Sequence, residues 1–183
     1  IVTQTVDKDD PVLGFFHHWL EMFATHLDSV EVICLNEGRH ALPSNVHLHS
    51  LGKEKGGNRL LYAARFLQLA WELRSRYDAV FVHMNPEYLL LAGPWWRLAG
   101  KRVGLWYTHK AVDVKLRAAE ICADIIFTAS KESFRLSSKK VRVMGHGIDA
   151  SFWTPDATVF RGAALLSVGR LMPAKRHDLA IRV

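Results

Sequence analysis

The sequence predicts an α/β protein built on a doubly wound parallel sheet. Short runs of β-branched and apolar residues alternate with longer segments in which apolar residues recur every three or four positions. The run at 78–84 has a continuous apolar centre, Ala-Val-Phe-Val at 79–82, which is typical of a strand that is buried on both faces under helices. Right-handed crossovers between such strands give one parallel sheet over residues 1–150.

Each strand is a short apolar run bounded by turn residues. The predicted strands lie at 1–6, 30–35, 46–51, 78–84, 103–107, 124–130, 139–144 and 163–169. The predicted helices lie at 15–27, 59–76, 86–98, 114–122, 131–136 and 178–183. The first has one apolar face, and the second is apolar on most of its circumference. Asn58 and Ser130 are of the residue types that cap helices, Pro86 fits a first helical turn and Gly100 stops the third helix.

Residues 151–162 contain Pro155 and show no apolar periodicity. They are predicted to link a domain at 1–150 to the start of a second α/β domain at 163–183. One strand and part of a helix cannot bury a core of their own. We therefore expect this second domain to be truncated.

The charge of the chain favours anionic partners. A net charge of +6 and an isoelectric point near 9.5 suit nucleotides, phosphorylated substrates or anionic lipid surfaces. The basic residues are scattered rather than striped, and no nucleic-acid motif is present, so we expect no nucleic-acid partner. Cys34 and Cys122 lack CxxC spacing and lie in apolar surroundings, which indicates reduced core residues of a cytoplasmic protein.

The apolar run at 88–96 is too short to span a bilayer. It contains the pair Trp95 and Trp96, followed by Lys101 and Arg102, a composition typical of a membrane-interface patch. Two indoles that pack a helix into the core explain the same run equally well. Association with the inner face of the membrane is therefore an open expectation.

The strongest candidate for chemistry is His109. Together with Thr108 it leaves the predicted strand 103–107 at its carboxyl end, where ligands bind in open parallel sheets. The alternative is a loop histidine that is hydrogen-bonded to backbone. Gly14, between the first strand and the first helix, makes an anion site available there. Candidate metal ligands occur only in pairs, at 7–9 and 47–49, so we expect no metal.

Two segments resemble GT-B glycosyltransferases of the fourth sequence family. The first is Val-Met-Gly-His-Gly-Ile-Asp at 143–149, followed by Phe152, and it is similar to the hinge between the two lobes. The second is Leu-Ser-Val-Gly-Arg-Leu-Met-Pro-Ala-Lys at 166–175, and it is similar to the first strand and loop of the second lobe. At Arg176 this chain departs from the family, which usually has glycine there.

The resemblance implies an N-terminal, acceptor-side Rossmann-like lobe of a retaining hexosyltransferase that uses a nucleotide-sugar donor without metal or other cofactor. Arg170 and Lys175 would hold the donor diphosphate, and Gly14 would lie in the loop that approaches it. His109 would hydrogen-bond the transferred sugar or shape the cleft. The family's acidic residues for sugar and ribose lie beyond Val183, so we expect this polypeptide alone to be inactive.

Two other functions remain open. The first is a non-catalytic peripheral membrane or anion-binding module that uses Lys53, Lys55, Trp95 and Trp96. The second is a GT-B nucleotide-sugar epimerase. For the transferase, the acceptor would be a glycan or a lipid-linked sugar.

Overall fold

A computed structural model describes residues 1–147 and, beyond them, 154, 158, 162, 167–169, 171 and 173–182. The chain divides into two compact units, Ile1–His146 and Gly147–Val183. In the second unit, a 3-10 turn at Pro173–Lys175 precedes helix α5, which spans His177–Arg182. Several predicted features lie outside the described residues. They are most of the predicted linker, part of the predicted strand 163–169, and Arg170.

The first unit contains a seven-stranded sheet in which every pair of neighbouring strands is parallel. The strands are β1 (Val2–Val6), β2 (Val30–Glu37), β3 (Val46–Ser50), β4 (Ala79–His83), β5 (Arg102–Trp106), β6 (Ile125–Thr128) and β7 (Val141–Val143). Their order is β3-β2-β1-β4-β5-β6-β7. The predicted parallel α/β fold is confirmed, and the strand order reverses between β1 and β4.

Four helices flank this sheet. They are α1 (Phe15–His26), α2 (Arg59–Glu72), α3 (Pro86–Leu98) and α4 (Val114–Cys122). Asn58 caps α2 as predicted, because its side chain accepts hydrogen bonds from the backbone N–H groups of Leu60 and Leu61. Pro86 occupies the first turn of α3, also as predicted.

The predicted helix at 131–136 is wrong. Ser130 does cap this segment by accepting from Ser133 N, but only a 3-10 turn forms, over Lys131–Ser133. The next residue, Phe134, is extended and buried, and its ring meets Tyr107 edge-on with the centroids 6.0 Å apart. Burying this aromatic ring favours the extended backbone over further helical turns.

The core has two layers. Helices α2, α3 and α4 pack on one face of the sheet, whereas α1 packs on the other. Gly93 allows α3 and α4 to approach closely, because a Cβ atom there would lie 2.7 Å from the Cβ of Cys122. Cys34 and Cys122 are both free and buried, and burial raises the pKa of Cys34 to about 12.

The two neighbouring indoles have different environments. Trp96 is 1 % exposed, and its Nε1 donates to the hydroxyl of Tyr77 at 3.0 Å. Trp95 is half-buried and packs against Trp71, with the ring centroids 5.5 Å apart. Of the two explanations left open for this run, packing into the core holds for Trp96, whereas Trp95 lies partly at the surface. Within the described ranges, no helix has the length and apolar character needed to cross a membrane.

Candidate functional site

The candidate site is the carboxyl edge of the sheet around β1, β4 and β5. Ligands bind at this edge in open α/β sheets, at the point where the strand order reverses. That point lies between β1 and β4 here. The loops that follow these three strands carry Gly14, Asn85 and His109 respectively.

The loop after β1 is held by Asp10. Its Oδ1 accepts from the backbone N–H groups of Val12 and Leu13 at 2.8 and 2.7 Å, and these two hydrogen bonds lower the pKa of the Asp10 carboxyl. Gly14 is required for space, because a Cβ atom there would lie 2.7 Å from the Asp10 carbonyl oxygen and 3.0 Å from that of Lys8. Glycine at this position is thus explained by the packing of the loop itself. Its contact with donor phosphates stays a prediction.

His83, at the end of β4, contacts β1 beneath this edge. The side chain is 1 % exposed, and its Nδ1 lies 3.2 Å from the hydroxyl of Thr3. Its ring stacks on Phe16 with the centroids 4.2 Å apart. Burial lowers its pKa from 6.5 to about 4, so the imidazole is neutral at physiological pH. We therefore assign it a structural role.

The next residue, Met84, connects the ends of β4 and β5. It has a φ of 65°, a left-handed conformation that is uncommon for a residue with a side chain. Its sulfur lies 3.3 Å from both the backbone nitrogen and the hydroxyl of Thr108. This contact fixes the position from which His109 extends.

His109 is exposed at the edge, and its ring is oriented by backbone. The N–H of Ala111 donates to its Nδ1 at 3.2 Å, and the Tyr107 ring lies edge-on at 6.3 Å between centroids. Because Nδ1 accepts, the proton of the neutral imidazole is on Nε2. His109 is thus a loop histidine that is hydrogen-bonded to backbone, as the alternative interpretation expected. This hydrogen bond leaves Nε2 able to donate to a ligand.

The predicted diphosphate ligands belong to the second unit. Arg170 lies outside the described residues, and Lys175 is exposed at the end of the 3-10 turn. A Cβ atom on Gly169 would lie 3.7 Å from the Cδ of Lys175, so these two residues are neighbours. Arg176 has a φ of 50°. This left-handed backbone is one that glycine adopts readily, which fits the family pattern at this position.

No group of three potential metal ligands occurs among the residues that the structure describes. The pairs noted in the sequence are partly engaged in ion pairs. Asp9 bonds Arg39 at 2.5 Å, and His49 bonds the buried Glu31 at 2.6 Å. The expectation that no metal is used stays a prediction.

Sequence reasoning missed two polar residues on the α2 and α3 side of this edge. Gln4 on β1 donates from Nε2 to Oδ1 of Asn85 at 2.8 Å. Both residues line a cavity of about 560 Å³ between α2 and α3. The sequence did offer one signal, the polar residues His83 and Asn85 in the segment His-Met-Asn-Pro at the end of β4. The partner of Asn85, Gln4, lies 81 residues away in the sequence.

No model of a known protein family matches this chain, and no curated protein matches it in sequence. Solved structures do match its fold. HepE (Alr3699) of Anabaena in complex with UDP has a TM-score of 0.56 and 14% identity, with 85% of this chain and 46% of that chain covered. The same protein with UDP-glucose gives a TM-score of 0.52 at 14% identity, over 85% and 46% of the two chains.

The UDP-GlcNAc 2-epimerase of Methanocaldococcus jannaschii matches with a TM-score of 0.51 and 11% identity, covering 78% of this chain and 44% of that one. The chain thus spans less than half the length of these structures. At such identities the matches establish the fold alone, which is the α/β fold of one lobe of GT-B proteins. The predicted fold of one GT-B lobe is confirmed, whereas membership of any glycosyltransferase family, the fourth included, stays a prediction.

Proposed function

We propose that this chain is the acceptor-side lobe, with the start of the donor-side lobe, of a retaining GT-B hexosyltransferase. The whole protein would transfer a sugar from a nucleotide sugar to an acceptor hydroxyl. The observation that carries the proposal is the fold match to HepE, whose structures contain UDP and UDP-glucose. The strand-order reversal and the loops at the same edge of the sheet support it.

In this proposal, cationic side chains bind the donor diphosphate and a neutral histidine binds the sugar. Departure of a nucleoside diphosphate builds negative charge on its phosphates, and fixed cations stabilise that charge in a closed site. We assign this role to Arg170 and Lys175, which would replace a divalent metal ion. His109 would donate from Nε2 to a hydroxyl of the transferred sugar, and the loop around Gly14 would approach the diphosphate.

We expect the double substitution Arg170→Gln/Lys175→Gln to lower kcat/KM of the whole protein at least about a hundredfold, because two charges at the leaving group are lost. Transfer is measured over a panel of nucleotide sugars, and the anomeric configuration of the product is read by NMR. The control is Lys139→Gln/Arg142→Gln, which removes the same charge near β7, where both residues are exposed. Unchanged activity in the first variant refutes the assigned role, and an inverted product refutes retention.

A nucleotide-sugar epimerase is the second candidate, because an epimerase also matches the fold. The two activities differ in their need for an acceptor. An epimerase converts UDP-GlcNAc to its 2-epimer with no second substrate, whereas a transferase releases UDP in proportion to glycosylated acceptor. Epimer formation without acceptor would replace the transferase proposal.

Exposed apolar side chains on α2 and α3 support contact with an anionic membrane. Leu60, Leu67 and Trp71 follow one stripe of α2, and Leu91 lies on the neighbouring helix α3. Trp71 and Trp95 join the two helices, and the Arg74 guanidinium lies 4.3 Å from the Trp71 ring centroid. Indoles beside cations suit the membrane interface. We propose a cytoplasmic protein that meets a lipid-linked acceptor at the inner membrane face through this surface.

Vesicle flotation tests this contact. We expect Trp71→Ala/Trp95→Ala to lower partitioning onto vesicles with anionic lipid about tenfold, because two interfacial indoles are lost. The control Met22→Ala/Leu27→Ala removes exposed apolar side chains of or beside α1 and should float like the unmodified chain. Equal flotation of all three proteins contradicts the membrane contact and leaves a soluble glycan as the acceptor.

A further inference from the structure

The cavity between α2 and α3 lies at the same sheet edge as the candidate site but on the face opposite α1. Its lining includes Gln4, Arg59, Tyr62, Asn85, Tyr88 and Lys115. Neither Gly14 nor His109 contributes to this lining, whereas Leu91 belongs both to it and to the proposed membrane surface. At about 560 Å³ it has the size of a small-molecule site.

The charge of the lining is unbalanced. Lys53, Arg59 and Lys115 contribute cations, and Glu87 is the one acidic side chain of the lining. Glu87 is already paired, since its Oε1 lies 2.9 Å from Nζ of Lys115. Arg59 and Lys53 form no ion pair with any residue in the described part of the chain. The cavity therefore carries an excess of two positive charges, which matches a phosphate dianion.

The polar end of the cavity is preorganised. Gln4 donates to Asn85 Oδ1 at 2.8 Å, and Asn85 Nδ2 donates to the His83 carbonyl oxygen at 3.2 Å. Because its amide is held in this way, Asn85 does not cap α3 with its side chain. The N-terminal end of α3, with its partial positive charge, borders the cavity and adds to the attraction for an anion.

The walls suit a sugar ring. Tyr62 and Tyr88 both line the cavity, and Tyr88 packs on Phe66 with the ring centroids 4.6 Å apart. Burial raises the pKa of Tyr88 to about 12, so its hydroxyl stays protonated and neutral. Aromatic rings with a polar tip can pack on the apolar face of a hexose and hydrogen-bond its hydroxyls.

We infer that this cavity binds a phosphorylated acceptor, with the phosphate at Arg59 and Lys53 and the sugar ring against Tyr62 and Tyr88. The inference rests on the proposed transfer to an acceptor and names the chemical class of that acceptor. A sugar phosphate in solution presents a phosphate dianion, whereas the phosphate that links a sugar to a lipid is esterified on both sides and carries one charge less; both present phosphate oxygens to the cations. Arg59 supplies paired N–H donors that match these oxygens.

Titration calorimetry on the whole chain tests the inference. The probes are α-D-glucose 1-phosphate, methyl α-D-glucoside, inorganic phosphate and the short-chain lipid dihexanoyl phosphatidic acid. We expect glucose 1-phosphate to bind at least about tenfold more tightly than the glucoside or inorganic phosphate, since the sugar and the anion both contribute. Tighter binding of the short-chain lipid would assign the cavity to a lipid phosphate and overturn the sugar contact.

The variant Arg59→Gln/Lys53→Gln should weaken binding of glucose 1-phosphate at least about tenfold. Its matched control is Arg65→Gln/Lys55→Gln, which removes the same charge from exposed neighbours outside the cavity and should bind like the unmodified chain. Thermal unfolding confirms that both variants are folded. Equal binding by the two variants, or no binding by the unmodified chain, overturns the inference.

Two further outcomes separate this inference from the proposed function. Competition between UDP and glucose 1-phosphate would show that the cavity holds the donor, which overturns the acceptor assignment and leaves the transferase intact. The second outcome is that glucose 1-phosphate binds and depends on Arg59, but the whole protein shows no activity on nucleotide sugars. That result would refute the proposed transferase function and leave the sugar-phosphate site standing. The Arg170 and Lys175 variants decide that second question independently.

Discussion

Replacing Trp96 by alanine should lower the free energy of unfolding by about 3–5 kcal/mol, the range for deleting a large buried aromatic side chain. Trp96 is 1 % exposed and meets Phe66 edge-on at 6.0 Å between ring centroids. The substitution leaves a cavity between α3 and α2 and also removes the donor to the Tyr77 hydroxyl. Tyr77 keeps its own hydrogen bond to the Ala70 carbonyl oxygen at 2.8 Å.

Chemical denaturation of Trp96→Ala and Trp95→Ala measures this difference. Trp95 is half-buried, so its removal should cost much less than that of its neighbour. Equal losses for the two variants would contradict the assignment of Trp96 to the core. A large loss for Trp96→Ala would also explain why the flotation test replaces Trp71 and Trp95 and not Trp96. A variant that lacks Trp96 would lose flotation by unfolding, whether or not the surface contacts lipid.

Acidification from pH 7 to pH 4 should cost about 3 kcal/mol of stability through His83 alone. Its pKa falls from 6.5 to about 4 on folding because the ring is buried. Between these values the unfolded chain binds a proton at this histidine and the folded chain does not. The stability is therefore complete above pH 6.5, falls as the pH drops towards 4, and changes no further below that value.

The measurement compares unfolding free energies of the unmodified chain and His83→Phe at several pH values. Phenylalanine keeps a ring for stacking on Phe16 and cannot titrate, so the difference between the two proteins should shrink or reverse towards pH 4. The exposed His47 provides the control, and His47→Gln should follow the unmodified chain. Parallel curves for all three proteins would show that His83 does not titrate as its burial requires.

Local patterns were sufficient to predict most of the sheet. A largely apolar run such as 78–84 indicates burial on both faces whatever its neighbours are, and the adjacent Val82 and His83, which point to opposite faces, are indeed both buried. The helix predicted at 131–136 failed because its end depends on a distant contact, that of Phe134 with Tyr107. Helical spacing could have separated the two indoles, since Leu89, Ala92 and Trp96 fall on one face of α3.

The candidate site was less predictable. His109 could be placed because it follows a strand, but its orientation depends on backbone geometry at Ala111, which residue types do not encode. The cavity could not be foreseen, because Gln4, Arg59 and Asn85 come from three separate segments. Which segments meet depends on the strand order and the crossovers, and apolar periodicity specifies neither.

The burial of both cysteines has a practical consequence for labelling. Cys34 reacts as a thiolate, and a pKa of about 12 leaves almost none of that form at neutral pH. Cys122 is held against Gly93 where α3 and α4 cross, out of reach of bulky reagents. A maleimide fluorophore should therefore attach selectively to a single cysteine introduced on the surface, without prior removal of the native thiols.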